Sequence, residues 1–149
     1  MTTLLFTHPS SLHHVTPEGH PERVDRIKAV NQILGSAHFR DLARREAPLG
    51  REEDILLAHS HEHLRRIRAM SPTDGFEYLD PDTVMSAGSL EAALRAVGAA
   101  ASAVDAVFAA EADNAFCALR PPGHHAESRR AMGFCLFNQA AVAALHARN

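Results

Sequence analysis

Apolar and polar positions follow two rhythms along this chain, and each change of rhythm marks an element. Thr2-Thr3-Leu4-Leu5-Phe6-Thr7 is β-prone and stops at the His8-Pro9 breaker, which predicts a first strand. A loop rich in turn formers runs from Pro9 to Gly19. Pro21 suits a first helical position with Glu22 in the first turn, and Val24, Ile27, Val30 and Leu34 form an apolar stripe that ends at Gly35. Residues 36–50 show no clear period beyond a short strand near Glu46-Ala47. Arg51 to His59 predicts a short helix opening on Glu52, Glu53 and Asp54, which favour the positive end of its dipole. Ser60 caps a second short helix that buries Leu64, Ile67 and Met70. Ser71 to Pro81 reads as a surface loop leading into Asp80-Pro81-Asp82-Thr83.

The longest helical rhythm covers about Ser89 to Ala110. Leu90, Leu94, Val97, Ala101, Val104 and Phe108 share one face, while Glu91, Arg95, Ser102 and Asp105 lie on another. Ala115-Phe116-Cys117-Ala118-Leu119 is too short for a helix and predicts a buried strand. A long helix just ahead of such a strand is the crossover of a βαβ unit, so a parallel α/β sheet is expected. After a brief apolar segment, Phe134 to Phe137, a last helix is expected over Asn138 to Ala147.

Composition narrows the class. With 149 residues, 46% of them hydrophobic, the chain can bury a core as one domain. A net charge of −3 and the lack of a basic stripe argue against a nucleic-acid partner. The least polar run, Ala92 to Ala112, carries Arg95, Asp105 and Glu111, so no membrane span is expected. The N-terminus lacks a secretory pattern, and Cys117 and Cys135 read as buried thiols without metal-type spacing. A cytoplasmic protein is the resulting expectation.

Eleven histidines make proton-transfer and metal chemistry worth pursuing. Arg120-Pro121-Pro122-Gly123 ends the last strand, because proline cannot feed a ladder and glycine permits a sharp turn. His124 and His125 are thereby delivered on a rigid loop at the carboxyl end of a strand, where open α/β sheets bind ligands. Imidazole, with an unperturbed pKa of about 6.5, exchanges protons near neutrality. The pair, expected to be partly buried, reads either as a general base and acid or as loop histidines satisfied by the backbone. His59, His61 and His63 alternate, but a helix start at Ser60 scatters them onto a solvated face. His13, His14 and His20 either line a pocket or serve the loop's turns, and Arg26 has a surface role by position. Cys135 has no electropositive neighbour in sequence and reads as packing. There is no H-E-x-x-H, paired C-x-x-C or D-x-H, so these residues do not complete a three-ligand catalytic zinc site.

Arg120-Pro121-Pro122-Gly123-His124-His125-Ala126, followed by Gly133-Phe134-Cys135-Leu136-Phe137-Asn138, resembles the signature of zinc-dependent histone deacetylases and their bacterial relatives, including acetylpolyamine amidohydrolases. It is most similar to the class II type. His20-Pro21-Glu22-Arg23 with Arg26-Ile27, His59-Ser60, and Asp80-Pro81-Asp82-Thr83 with Ser86 and Gly88-Ser89 extend the likeness along almost all of the chain.

The resemblance implies an arginase/deacetylase-like three-layer α/β fold around a parallel sheet, truncated, with residues 1–149 as the N-terminal portion of the domain. It implies Zn2+ as cofactor and an acetylated lysine peptide or acetylated small amine as substrate. His125 would be the general base and acid, and His124 would assist electrostatically. Gly133 and Phe134 would line the substrate tunnel; Asp80, Asp82, His13 and His14 complete the substrate-binding set, and Arg26 would lie at an internal channel. The family's zinc ligands, an Asp-x-His stretch and a later Asp, have no counterpart before Asn149, nor does its carbonyl-polarising tyrosine; Gln139 stands where a second asparagine is common. The 149 residues alone are therefore expected to be inactive. Two rival expectations remain: a non-enzymatic module that assembles with a partner chain or as a homo-oligomer, and a histidine-rich metal-binding module.

Overall fold

Leu4, Leu5 and Phe6, none more than 2% exposed, form the centre of the molecule. They belong to β1 (Thr3–Thr7) in the computed structural model, which describes residues 1–149. β2 (Ala43–Glu46), β3 (Glu77–Tyr78), β4 (Val84–Met85) and β5 (Asn114–Cys117) follow in sequence. The helices are α1 (Val24–Leu34), α2 (Glu52–Ala58), α3 (His61–Ala69), α4 (Ser89–Phe108) and α5 (Gln139–His146). β1 lies between β2 and β5, parallel to both, and Leu4 is in register with Ala43 and Ala115. β3 and β4 form a separate antiparallel pair.

Side-chain alternation on β1 sets the layers. Leu5 points to Ile27 and Leu34 of α1, while Leu4 and Phe6 point to Ala99 and Ala106 of α4. A helix thus covers each face of the parallel sheet, the three-layer α/β arrangement the motif implies. A separate cluster joins α2, α3, α4 and α5 through Ile55, Leu64, Ile67, Val97, Phe137 and Val142.

Several expectations are corrected in detail. α1 begins at Val24 rather than Pro21, because Glu22 is drawn into a buried ion pair instead of a helical turn. Along its stripe only Ile27 and Leu34 are buried; Val30 is 38% exposed. α4 packs through a seam of small residues, including Ala92, Ala93, Ala96 and Ala99, together with Val97 and Ala101 of the expected line. Leu90 and Leu94 of that line are only partly buried, and Phe108 is 72% exposed. Small residues allow close approach: a Cβ on Gly98 would lie 2.7 Å from the Gly50 amide nitrogen. β5 is a half-exposed edge strand rather than a buried one, with Phe116 51% exposed, because nothing pairs with its far side. The brief apolar segment 134–137 is a turn, with a bridge between Met132 and Cys135. No helix is long and apolar enough to cross a membrane.

Candidate functional site

β5 hands the chain to Arg120, which is 4% exposed and anchors the loop that follows. Its Nε and Nη2 donate to the two Glu22 oxygens at 2.5 and 2.6 Å, and its Nη1 donates to the Ser11 and His14 carbonyls at 2.7 and 3.0 Å. His14 Nε2 lies 3.3 Å from Glu22 Oε2, and its Nδ1 lies 2.6 Å from Ser89 Oγ. The Ser86 amide already donates to Ser89 Oγ, so the Ser89 hydroxyl proton is free for His14 Nδ1, and Nε2–H faces the carboxylate. Burial would raise the Glu22 pKa, but hydrogen bonds from His14 and Arg120, with the charge of Arg120, overcome it and hold the carboxyl down at about 2. A bidentate buried pair of this kind fixes geometry; removing one partner strands a charge.

His124 and His125 stand on the far side of this anchor, beyond the carboxyl end of the sheet. Both are exposed, which corrects the expected partial burial: the edge strand beneath them has no neighbour to enclose them. Their ring centroids are 4.3 Å apart with planes at 49°. Gly133, at φ +57, abuts His125 so closely that a Cβ there would come within 2.8 Å of the His125 Cβ and 2.9 Å of its ring. Phe134 also adopts a positive φ, +69, a region costly for a bulky residue. Two contacts hold it: its amide donates to Thr83 Oγ1 at 3.0 Å, and its ring packs edge-on against His20 at 4.9 Å.

The rim beside Phe134 comes from the loop before β4. His20 Nε2 donates to the Asp82 carbonyl at 3.0 Å, and Thr83 Oγ1 donates to Asp82 Oδ1 at 3.2 Å. Asp82 is exposed there. Asp80 instead shapes the turn, its Oδ1 accepting from the Asp82 and Thr83 amides at 3.0 and 2.7 Å. Burial would raise the Asp80 pKa, and those hydrogen bonds bring it below the usual carboxylate value.

Gly133 therefore packs on His125, and Phe134 beside it meets the rim that carries Asp82, whereas His14 joins neither. It is 1% exposed and committed to Ser89 and Glu22, which removes it from the substrate-contacting set. His13 is exposed, with its backbone against Gly88. Arg26 lines an open groove of about 320 Å³ with Ile27, Phe116, Leu119 and Pro122, along the free side of β5. Thr83 is a site residue that the sequence pattern did not single out beyond the Asp80-Pro81-Asp82-Thr83 segment, whereas His20, read either as pocket lining or as serving a turn, packs against Phe134.

Burial raises the Cys135 pKa, with only partial relief from the His125 and Ala126 amides, and pushes the Cys117 thiol up to about 11. Neither serves as a thiolate nucleophile near neutrality. His59 and His63 contradict the solvated reading, being 4% and 2% exposed; His61 alone of the three faces water. No group of three or more His, Cys, Asp or Glu side chains is placed to hold a metal ion. The residues present therefore do not fit the zinc ion that the resemblance implies.

Comparison with known proteins agrees with this geometry. Residues 20–149 match the histone deacetylase domain. A histone deacetylase-like amidohydrolase of Pseudomonas aeruginosa is 42% identical over 123 residues, covering 83% of this chain and 32% of that protein. The polyamine deacetylase HDAC10 of Danio rerio is 38% identical over 103 residues, 65% of this chain and 15% of its own. The crystal structure of the HDA15 HD domain superposes with a TM-score of 0.92 at 33% identity, covering 99% of this chain and 43% of that one. The chain thus spans at most about a third of these two relatives and under half of the crystallised domain. With motif, layer order and these matches in accord, the chain belongs to the histone deacetylase domain family.

Proposed function

We propose that this chain carries the proton-transfer pair and one wall of the substrate site of a zinc-dependent deacetylase, which hydrolyses the amide of an acetylated lysine or acetylated small amine. His125 is the general base that takes a proton from water and returns it to the leaving amine. His124, with its ring 4.3 Å away, tunes the local charge. Phe134 and Gly133 flank the acyl-bearing stem, Asp82 meets the substrate at the rim, and Arg26 borders the groove behind the pair. The observation that carries this reading is the exposed histidine pair at a strand's carboxyl end with Gly133 packed against His125. Both substrate classes stay within it, since the relatives' names include an amidohydrolase and a polyamine deacetylase. The free thiols, Cys135 buried and Cys117 partly buried, suit a reducing cytoplasm.

Zinc belongs to this reading as a cofactor without a holder among residues 1–149. Isolated, these residues are expected to give no turnover. The direct test is a chimaera in which residues 20–149 replace the matching segment of the Pseudomonas relative. It should hydrolyse an acetyl-lysine peptide or acetylspermidine. A chimaera with native circular dichroism and no turnover of either overturns the proposal.

The free edge of β5 favours a second reading, a module that assembles with a partner chain or with its own copies. Its strand carries no charge, unlike Arg44, Arg45 and Glu46 on the opposite edge, and uncharged edges template pairing.

A further inference from the structure

We infer that His59 and His63 are positioning residues, a buried stacked pair in opposite tautomers that fixes residues 126–138 and thereby sets Gly133 and Phe134 against His125. Their rings stack with centroids 4.8 Å apart and planes at 24°, and each meets Phe137 edge-on, at 5.6 and 5.7 Å. The tautomers follow from the partners. The Asn138 amide donates to His59 Nε2 at 2.8 Å, so that nitrogen is bare and the ring proton sits on Nδ1. His63 Nε2 lies 2.9 Å from the Leu136 carbonyl, which only accepts, so there the proton sits on Nε2 and Nδ1 is bare. Both Nδ1 atoms are buried without a hydrogen-bond partner. The close hydrogen bonds of the two rings thus run through Nε2, one accepting and one donating, to two residues of the same segment, while the Glu127 and Ser128 backbone lies near His59 and that of Arg129 near His63.

From there two bonds reach the catalytic loop. Asn138 caps α5 by accepting the Ala141 amide at 2.9 Å, and its Nδ2 donates to the Ala126 carbonyl at 3.0 Å, one residue past His125. Leu136, held by His63, is three residues past Gly133, whose contact with His125 leaves no room for a methyl group. The start of α3 grips the other limb as well, through the Ser60 amide to the Ser128 carbonyl and the Glu62–Arg129 ion pair. A displacement at His59 or His63 therefore moves both the histidine loop and the wall facing it.

The inference rests on the reading of His124 and His125 as the proton-transfer pair, but its test is spectroscopic. In the 149-residue protein, long-range 1H–15N spectra should show His59 protonated on Nδ1 and His63 on Nε2. His59→Leu, which keeps bulk and loses the acceptor, should speed hydrogen exchange of the Asn138 amide about tenfold, as expected for one lost hydrogen bond, and shift the His125 and Ala126 resonances. His59→Gln, whose side-chain oxygen can accept, should restore both. The same tautomer in both wild-type rings overturns the inference even if the variants fail to fold. Unmoved His125 and Ala126 resonances in folded His59→Leu overturn it too. An inactive chimaera beside opposite tautomers and shifted resonances rejects the functional reading while the clamp stands.

Discussion

Glu22 and His59 answer burial in opposite ways. Glu22 stays charged because Arg120 and His14 surround it, whereas His59 stays neutral because burial, and then the nearby His63, push its pKa down to about 4. Both make the fold acid-sensitive, in separate windows. Between its ordinary pKa of 6.5 and about 4, an unfolded His59 binds a proton that the folded ring refuses, so stability falls as pH drops through that range. Glu22 contributes stability above its ordinary 4.5, lost as pH falls towards about 2. Urea titrations at pH 7.5, 5.5 and 4.0 should show about 2–3 kcal/mol lost over the upper window, with His59→Gln reducing the loss and the remainder coming from His63, whose pKa burial also lowers. A wild-type profile level between pH 7.5 and 4.0 would contradict this. These roles were hidden in the sequence, because the partners of His14, His59 and His63 lie 75, 79 and 73 positions away and neighbouring residues point to loop or solvent. His124 and His125 were legible because the proline-glycine turn that presents them is adjacent.

At the scale of elements, periodicity found the helices and missed their ends and faces. α4 keeps its rhythm for 20 residues, so its existence was plain, yet a neighbouring backbone at Gly98 adds an alanine seam to the buried face beside Val97 and Ala101. The strand leading to the histidines was legible from its apolar run, but its burial was not, since burial depends on what pairs beside it. β5 leaves Phe116 half exposed and, on its other face, an apolar groove of about 370 Å³ lined by Val104, Val107, Phe108 and Ala143. If that edge drives assembly, Phe116→Lys should shift light scattering of concentrated protein from oligomer to monomer, as edge lysines do in natural sheets. Wild-type protein that is monomeric at the same concentration removes the assembly reading.

Over the whole molecule, a small parallel sheet carries an exposed histidine pair at its carboxyl edge, anchored beneath by the Arg120–Glu22 pair and walled on one side by Gly133 and Phe134. The sheet layers and the signature loop were readable from 149 residues. The support was not, because it is assembled from α3, the loop before β4 and the start of α5, which meet only in the folded chain. Chemistry at the pair is the central claim, and the most direct measurement is kcat/KM of the Pseudomonas chimaera with His125→Ala beside its unmutated form. Removal of a general base should lower kcat about 10²- to 10⁴-fold with KM little changed. A folded His125→Ala chimaera that turns over within a few-fold of the parent would contradict it.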